Sequence, residues 1–138
     1  MSGSLILDAE ALSTLAGPPG PRKRVVRAAM HAAARLGRQV VVPTAILAEL
    51  YRGRAHASAI DACLSRETGI RLRDTDRSLA RLVGGVLAAA GAGSEHVADA
   101  HAVAAAVEVG GGVILTGDSE DLSRLGAPYR QVVVVALS

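Results

Sequence analysis

Apolar residues fall along this chain in two alternating patterns: short unbroken runs, and longer stretches in which they recur every three or four positions. Ser4 to Leu7 is a run of the first kind, a strand ending at Asp8. Ala9 to Leu15 then reads as a helix until Gly17-Pro18-Pro19-Gly20-Pro21 stops it. Arg22 to Leu36 places Val25, Val26, Ala29, Ala33 and Leu36 at helical spacing among basic residues, with Gly37 suited to its C-terminus. Val40 to Val42 is a second buried strand, and Pro43-Thr44 opens a helix to about Arg52. His56 to about Arg66 predicts another helix, and Ile70 to Leu72 a short strand. Thr75 is the expected N-cap of a helix to about Ala90, weakened in its middle by Gly84-Gly85. Ser94 is the expected cap of the next helix, through Val109, which Gly110-Gly111-Gly112 ends. Val113 to Leu115 is a strand, Ser119 to Leu125 a short helix, and Val132 to Val135 a last strand.

Short apolar strands alternating with helices predict an α/β fold: a single domain over 1–138 with a central parallel sheet of four to five short strands covered by helices on both faces. Functional groups of such sheets gather just beyond the carboxyl ends of the strands. Acids fall at those places. Asp8 follows the first strand immediately, Glu49 sits two turns into the helix after the second, and Asp118 comes shortly after Leu115 ends the fourth.

Composition narrows the function classes. The 138 residues are enough for one core and leave no room for a second domain, and 50% of them are hydrophobic. Phe and Trp are absent and Tyr51 and Tyr129 are the only aromatics, which argues against base-stacking platforms. Leu5 to Leu7 is too short for a signal or a membrane span, and the chain is expected to be cytoplasmic. Cys63 stands alone, so it reads as a small buried hydrophobe, with no disulfide or cysteine zinc site. The formal charge of +2 hides an asymmetry. With Asp8, Glu49, Asp99, Asp118 and Asp121 drawn into one site, eight acids face fifteen Lys and Arg over the remaining surface, about +7, which favours a polyanionic partner. The same Arg-, Ala- and Gly-rich composition is also what a GC-rich genome produces.

Asp99 lies in a helix rich in Val and Ala, where a charge must face solvent or have a partner. Carboxylates about 4 Å apart repel by roughly 4 kcal/mol per pair at an effective dielectric near 20, so convergent acids do not stay ionised unaided. A divalent cation resolves the conflict. Oxygen-only ligands favour Mg²⁺ or Mn²⁺ over zinc, and such an ion activates water for attack on phosphorus. Each acid also has a plainer reading: Asp8 as a helix cap, Glu49 as a solvated side chain, Asp99 as the partner of an Arg, Asp118 as a turn residue. Only their occurring together points to a site.

Four stretches carry a resemblance: Leu5-Ile6-Leu7-Asp8, Val42-Pro43-Thr44-Ala45-Ile46-Leu47-Ala48-Glu49-Leu50, His96-Val97-Ala98-Asp99-Ala100, and Val113-Ile114-Leu115-Thr116-Gly117-Asp118-Ser119-Glu120-Asp121-Leu122. In order and spacing the chain resembles the PIN domains, and within them the VapC-type toxins of bacterial toxin–antitoxin pairs. The resemblance implies a Mg²⁺- or Mn²⁺-dependent endoribonuclease, homodimerisation, and inhibition by a cognate antitoxin whose tail enters the active-site groove. It makes Asp8 and Asp99 the principal metal ligands, with Glu49 and Asp118 completing the acidic set, Asp121 as an auxiliary acid, and Thr116 orienting a ligand or water. The chain departs from the family two positions after the first Asp, where a small hydroxyl residue is common and Glu10 stands here.

His31, His56, His96 and His101 form no His-Glu-x-x-His pattern and read as surface or capping residues, although His96 falls one turn from Asp99. Gly110 to Gly112 precedes a strand instead of following one, so it is a helix stop and not a phosphate cradle. Arg22, Lys23, Arg24 and Arg27 read as a solvated helix face, whereas Arg52 and Arg54, just past Glu49, are better placed to hold substrate phosphate. The expected function is therefore hydrolysis of RNA phosphodiester bonds, with Asp8, Asp99 and Asp118 at the metal. The rival readings are a non-catalytic PIN-like module binding RNA or a partner, a housekeeping RNA-processing nuclease, and an unrelated phosphohydrolase on a similar sheet.

Overall fold

The computed structural model describes residues 3–138; the first two residues of the expected domain lie outside them. Five strands, β1 (Ser4–Leu7), β2 (Gln39–Pro43), β3 (Ile70–Arg73), β4 (Gly112–Thr116) and β5 (Val132–Ala136), form one sheet in the order β3-β2-β1-β4-β5. All four pairings are parallel. Seven helices connect them: α1 (Ala9–Ala16), α2 (Pro21–Arg35), α3 (Thr44–Leu50), α4 (Arg54–Arg66), α5 (Arg77–Ala90), α6 (Val97–Glu108) and α7 (Ser119–Gly126).

Strand alternation divides the core in two. Leu5, Leu7, Val40 and Val42 point to one face and pack with Leu12 and Leu15 of α1, Val26 of α2 and Ile60 and Cys63 of α4. Ile6, Val41 and Ile114 point to the other, against Leu79 and Val83 of α5, the alanine-rich α6, and Leu122 and Leu125 of α7. Because β1 lies at the centre, all four of its residues are buried. That is why it reads as an unbroken apolar run. Cys63 is buried and unbonded, as a small hydrophobe.

Several boundaries differ from the sequence reading. Helix α3 ends at Leu50, before Arg52, and a new helix begins at Arg54 past Gly53, whose φ of 125° favours glycine. The N-cap of α5 is Asp76, not Thr75: the Asp76 carboxylate accepts from the Leu79 amide at 2.9 Å. The Thr75 hydroxyl instead meets His101 Nε2 at 2.8 Å. Ser94 does not cap α6 but opens a separate 3₁₀ turn, Ser94–His96. Gly84 and Gly85 leave α5 unbroken, because both are exposed while Leu79, Val83 and Val86 anchor the opposite side. Among the described residues no helix is long and apolar enough to cross a membrane.

Candidate metal centre

Chain order reverses between β1 and β4: from β1 the sheet grows through β2 to β3, and on its other side through β4 to β5. The crevice outside the carboxyl ends of these two strands is where the connecting segments part, and it is the usual ligand site of such sheets. Leu7 pairs with Leu115, so Asp8 and Thr116 stand side by side at its floor.

Asp8 caps α1, accepting from the Ala11 amide through Oδ1 at 2.8 Å. Its Oδ2 accepts from the Thr116 hydroxyl at 2.5 Å. The plainer reading as a cap is thus true and coexists with a place in the site. Only 6% of Asp8 is exposed. Burial pushes its pKa above the ordinary carboxylate value; the Thr116 hydroxyl and the Ala11 amide pull the other way, and the Glu10 charge adds to the rise. Thr116 is fully buried, and its oxygen in turn accepts from the Asp118 amide at 2.8 Å. One hydroxyl therefore ties the end of β1 to the turn that carries Asp118.

Asp99, in the first turn of α6, is half-buried among the remaining acids. Its pKa is pushed up to about 6, first by burial and then by the negative charges of Glu49, Asp8, Asp121 and Asp118. Three other segments of the chain, at Asp8, at Glu49 and at Asp118–Asp121, thus converge on one carboxylate. Glu49, on α3, and Asp118, just ahead of α7, are exposed, whereas Asp121 is partly covered in the first turn of α7. Among the described residues none of these five acids forms a salt bridge, so Asp99 has no Arg partner. Elsewhere Glu10, Glu67, Asp76 and Glu108 are each held by an Arg. The donor set fits a hard divalent cation: carboxylate oxygens from several elements, none in a salt bridge among the described residues, some buried and some open to water.

Two neighbours escaped the sequence reading. His96 lies in the 3₁₀ turn before α6, and one ring nitrogen lies within 4.8 Å of a carboxylate oxygen of Asp99 and one of Asp121, which lie equally close to each other. Its position one turn from Asp99 was the available signal. Glu10 lays its carboxylate over Gly117, where any Cβ would collide with it, and pairs with Arg22 at 3.2 Å. A charged residue two positions after Asp8 announced it. The other histidines stand apart. His31 and His56 are exposed, and His101 is a core residue, 6% exposed, whose Nδ1–H donates to the Val97 carbonyl at 2.7 Å. His101 is therefore neither a surface nor a capping histidine. Arg52 and Arg54 are exposed, the first in the link between α3 and α4 and the second opening α4.

No protein-family model matches the sequence, and no curated protein matches it. Solved structures do. A chain of VapBC2 from Rickettsia felis, bound to a DNA fragment from the promoter, is 14% identical with a TM-score of 0.64, over 96% of this chain and 97% of that one. A chain of DNA-bound VapBC from Salmonella typhimurium is 16% identical with a TM-score of 0.64, over 99% of both. At such identities the likeness establishes a shared fold over nearly the full length, and that fold is PIN-like.

Proposed function

We propose that this chain is a metal-dependent endoribonuclease, the toxin of a VapBC-type toxin–antitoxin pair. The observation that carries the reading is the convergence of Asp8, Glu49, Asp118 and Asp121 on Asp99, with none of the five in a salt bridge among the described residues. The shared fold with chains of VapBC complexes supports the pairing with an antitoxin, and the excess of Lys and Arg outside the site supports RNA as substrate.

In this reading Asp8, Asp99 and Asp118 hold Mg²⁺ or Mn²⁺, with Asp121 auxiliary. When bound, the cation offsets the carboxylate charge, activates water and stabilises charge on the departing oxygen. Asp8 cannot swing away, because Thr116 and the Ala11 amide hold both its oxygens. Glu49, open to solvent, orients the attacking water and accepts its proton, while Asp118 positions the ion. Arg52 and Arg54 hold the substrate backbone just past Glu49. The protein acts as a homodimer that a cognate antitoxin silences by entering the acidic cleft.

Purified protein incubated with RNA and Mg²⁺ or Mn²⁺ tests the assignment. Cleavage is expected to vanish with EDTA and to fall by at least about a hundredfold in Asp8→Asn and Asp99→Asn. Cleavage that survives either change refutes the mechanism. Stoichiometric RNA or partner binding without turnover identifies a non-catalytic module instead.

A further inference from the structure

The five acids offer oxygen alone, and His96 brings a nitrogen to the same cleft. The 3₁₀ turn Ser94–His96 delivers it directly to the start of α6, one turn ahead of Asp99. One ring nitrogen of His96, one carboxylate oxygen of Asp99 and one of Asp121 all lie within 4.8 Å of one another, a spacing that a single cation can bridge. The imidazole is only 20% exposed, so packing limits its range. Arg124 Nη2 lies 3.1 Å from His96 Nε2. A guanidinium can only donate, so in this contact Nε2 is the acceptor; the same nitrogen lies 3.8 Å from Glu95 Oε1. Arg124 itself is exposed on α7 and can give up the contact to an incoming ion.

We propose that His96 is a nitrogen ligand of the divalent-cation site, acting with Asp99 and Asp121, and that it biases the site towards transition-series ions over Mg²⁺. The proposal rests on the reading of the acids as a metal centre. Mg²⁺ is a hard ion that holds oxygen ligands and water, whereas imidazole suits ions such as Co²⁺ and Zn²⁺. A cleft built from acids alone discriminates weakly among hard ions. Adding one imidazole changes that preference without changing the count of acids.

Calorimetric titration of Co²⁺ and of Mg²⁺ into the full chain, with no RNA present, separates the possibilities. His96→Gln is expected to weaken Co²⁺ binding about tenfold or more while leaving Mg²⁺ within about twofold. In the unsubstituted protein, Co²⁺ is expected to shift the His96 imidazole proton resonances strongly and those of His31 little. Asp99→Asn is expected to weaken both ions. If His96→Gln leaves Co²⁺ binding unchanged, or weakens both ions equally, the ligand assignment is overturned while the metal centre stands on the Asp99→Asn result. If the unsubstituted protein binds neither ion, the metal centre itself falls and the assignment with it.

Discussion

Thr116 concentrates more of the site's geometry than any acid does. Its hydroxyl donates to Asp8 and accepts from the Asp118 amide in a fully buried place, so removing it strands two polar partners at once. Thr116→Val is expected to cost about 1–3 kcal/mol in urea unfolding and to lower RNA cleavage, while Thr116→Ser, which keeps the oxygen, restores most of both. Equal activity of the two variants argues against a positioning role. At this scale the sequence was informative where a residue broke a local pattern: Asp8 ends an apolar strand and Asp99 interrupts an alanine-rich helix. It was uninformative where placement depended on an irregular turn. His96 reads in sequence as a surface or capping histidine one turn from Asp99, whereas the fold sets it, in a 3₁₀ turn, beside Asp121, far along the chain. The N-cap of α5 is Asp76 where Thr75 was expected, for a similar reason. Both are capping residue types, and the choice was made by His101, a distant side chain that takes the Thr75 hydroxyl and leaves the cap to Asp76.

Elements were legible because their periods are distinct, and their ends were less so. The strands and helices follow the apolar pattern closely, but the triple glycine reads as a helix stop and does more than that. Gly112 belongs to β4, pairs with Ser4, and sits so close to the Ser4 carbonyl that a Cβ there would overlap backbone. Backbone cannot step aside as a flexible side chain can. Gly112→Ala is therefore expected to spread β4 from β1 and to cost at least about 2 kcal/mol by chemical denaturation. Gly84→Ala, on the exposed side of α5 with open space around it, is expected to be neutral or to stabilise by up to about 1 kcal/mol. The two glycines carry the same letter in sequence and differ only in what approaches them. A Gly112→Ala protein as stable as the parent would show that β1 and β4 are not packed at this register, and the side-by-side placement of Asp8 and Thr116 would lose its support.

At the scale of the whole molecule, the parallel sheet and its site at the strand ends follow from the alternation of elements, but the strand order does not, because pairing between β1 and β4 joins residues over a hundred positions apart. That order stacks negative charge in one crevice, and the charge has a cost that pH and metal should both reveal. Asp99 titrates at about 6 in the folded chain against an ordinary value of 3.8. Between those values the folded state binds more protons than the unfolded state, so this group's contribution to stability falls as pH rises, and above about 6 the penalty is complete. Without metal, Asp99→Asn is expected to be more stable than the parent by on the order of 1–2 kcal/mol at pH 7, allowing for solvent screening, and the difference should shrink towards zero near pH 4. A divalent ion at a hundred times its dissociation constant should add about 2.7 kcal/mol to the parent, and much less to the variant. Thermal unfolding at several pH values, with EDTA and with Mg²⁺ or Mn²⁺, measures both effects. If Asp99→Asn destabilises the metal-free protein at neutral pH, Asp99 is not a carboxylate held among like charges, and the acids of the crevice do not repel one another as their convergence implies.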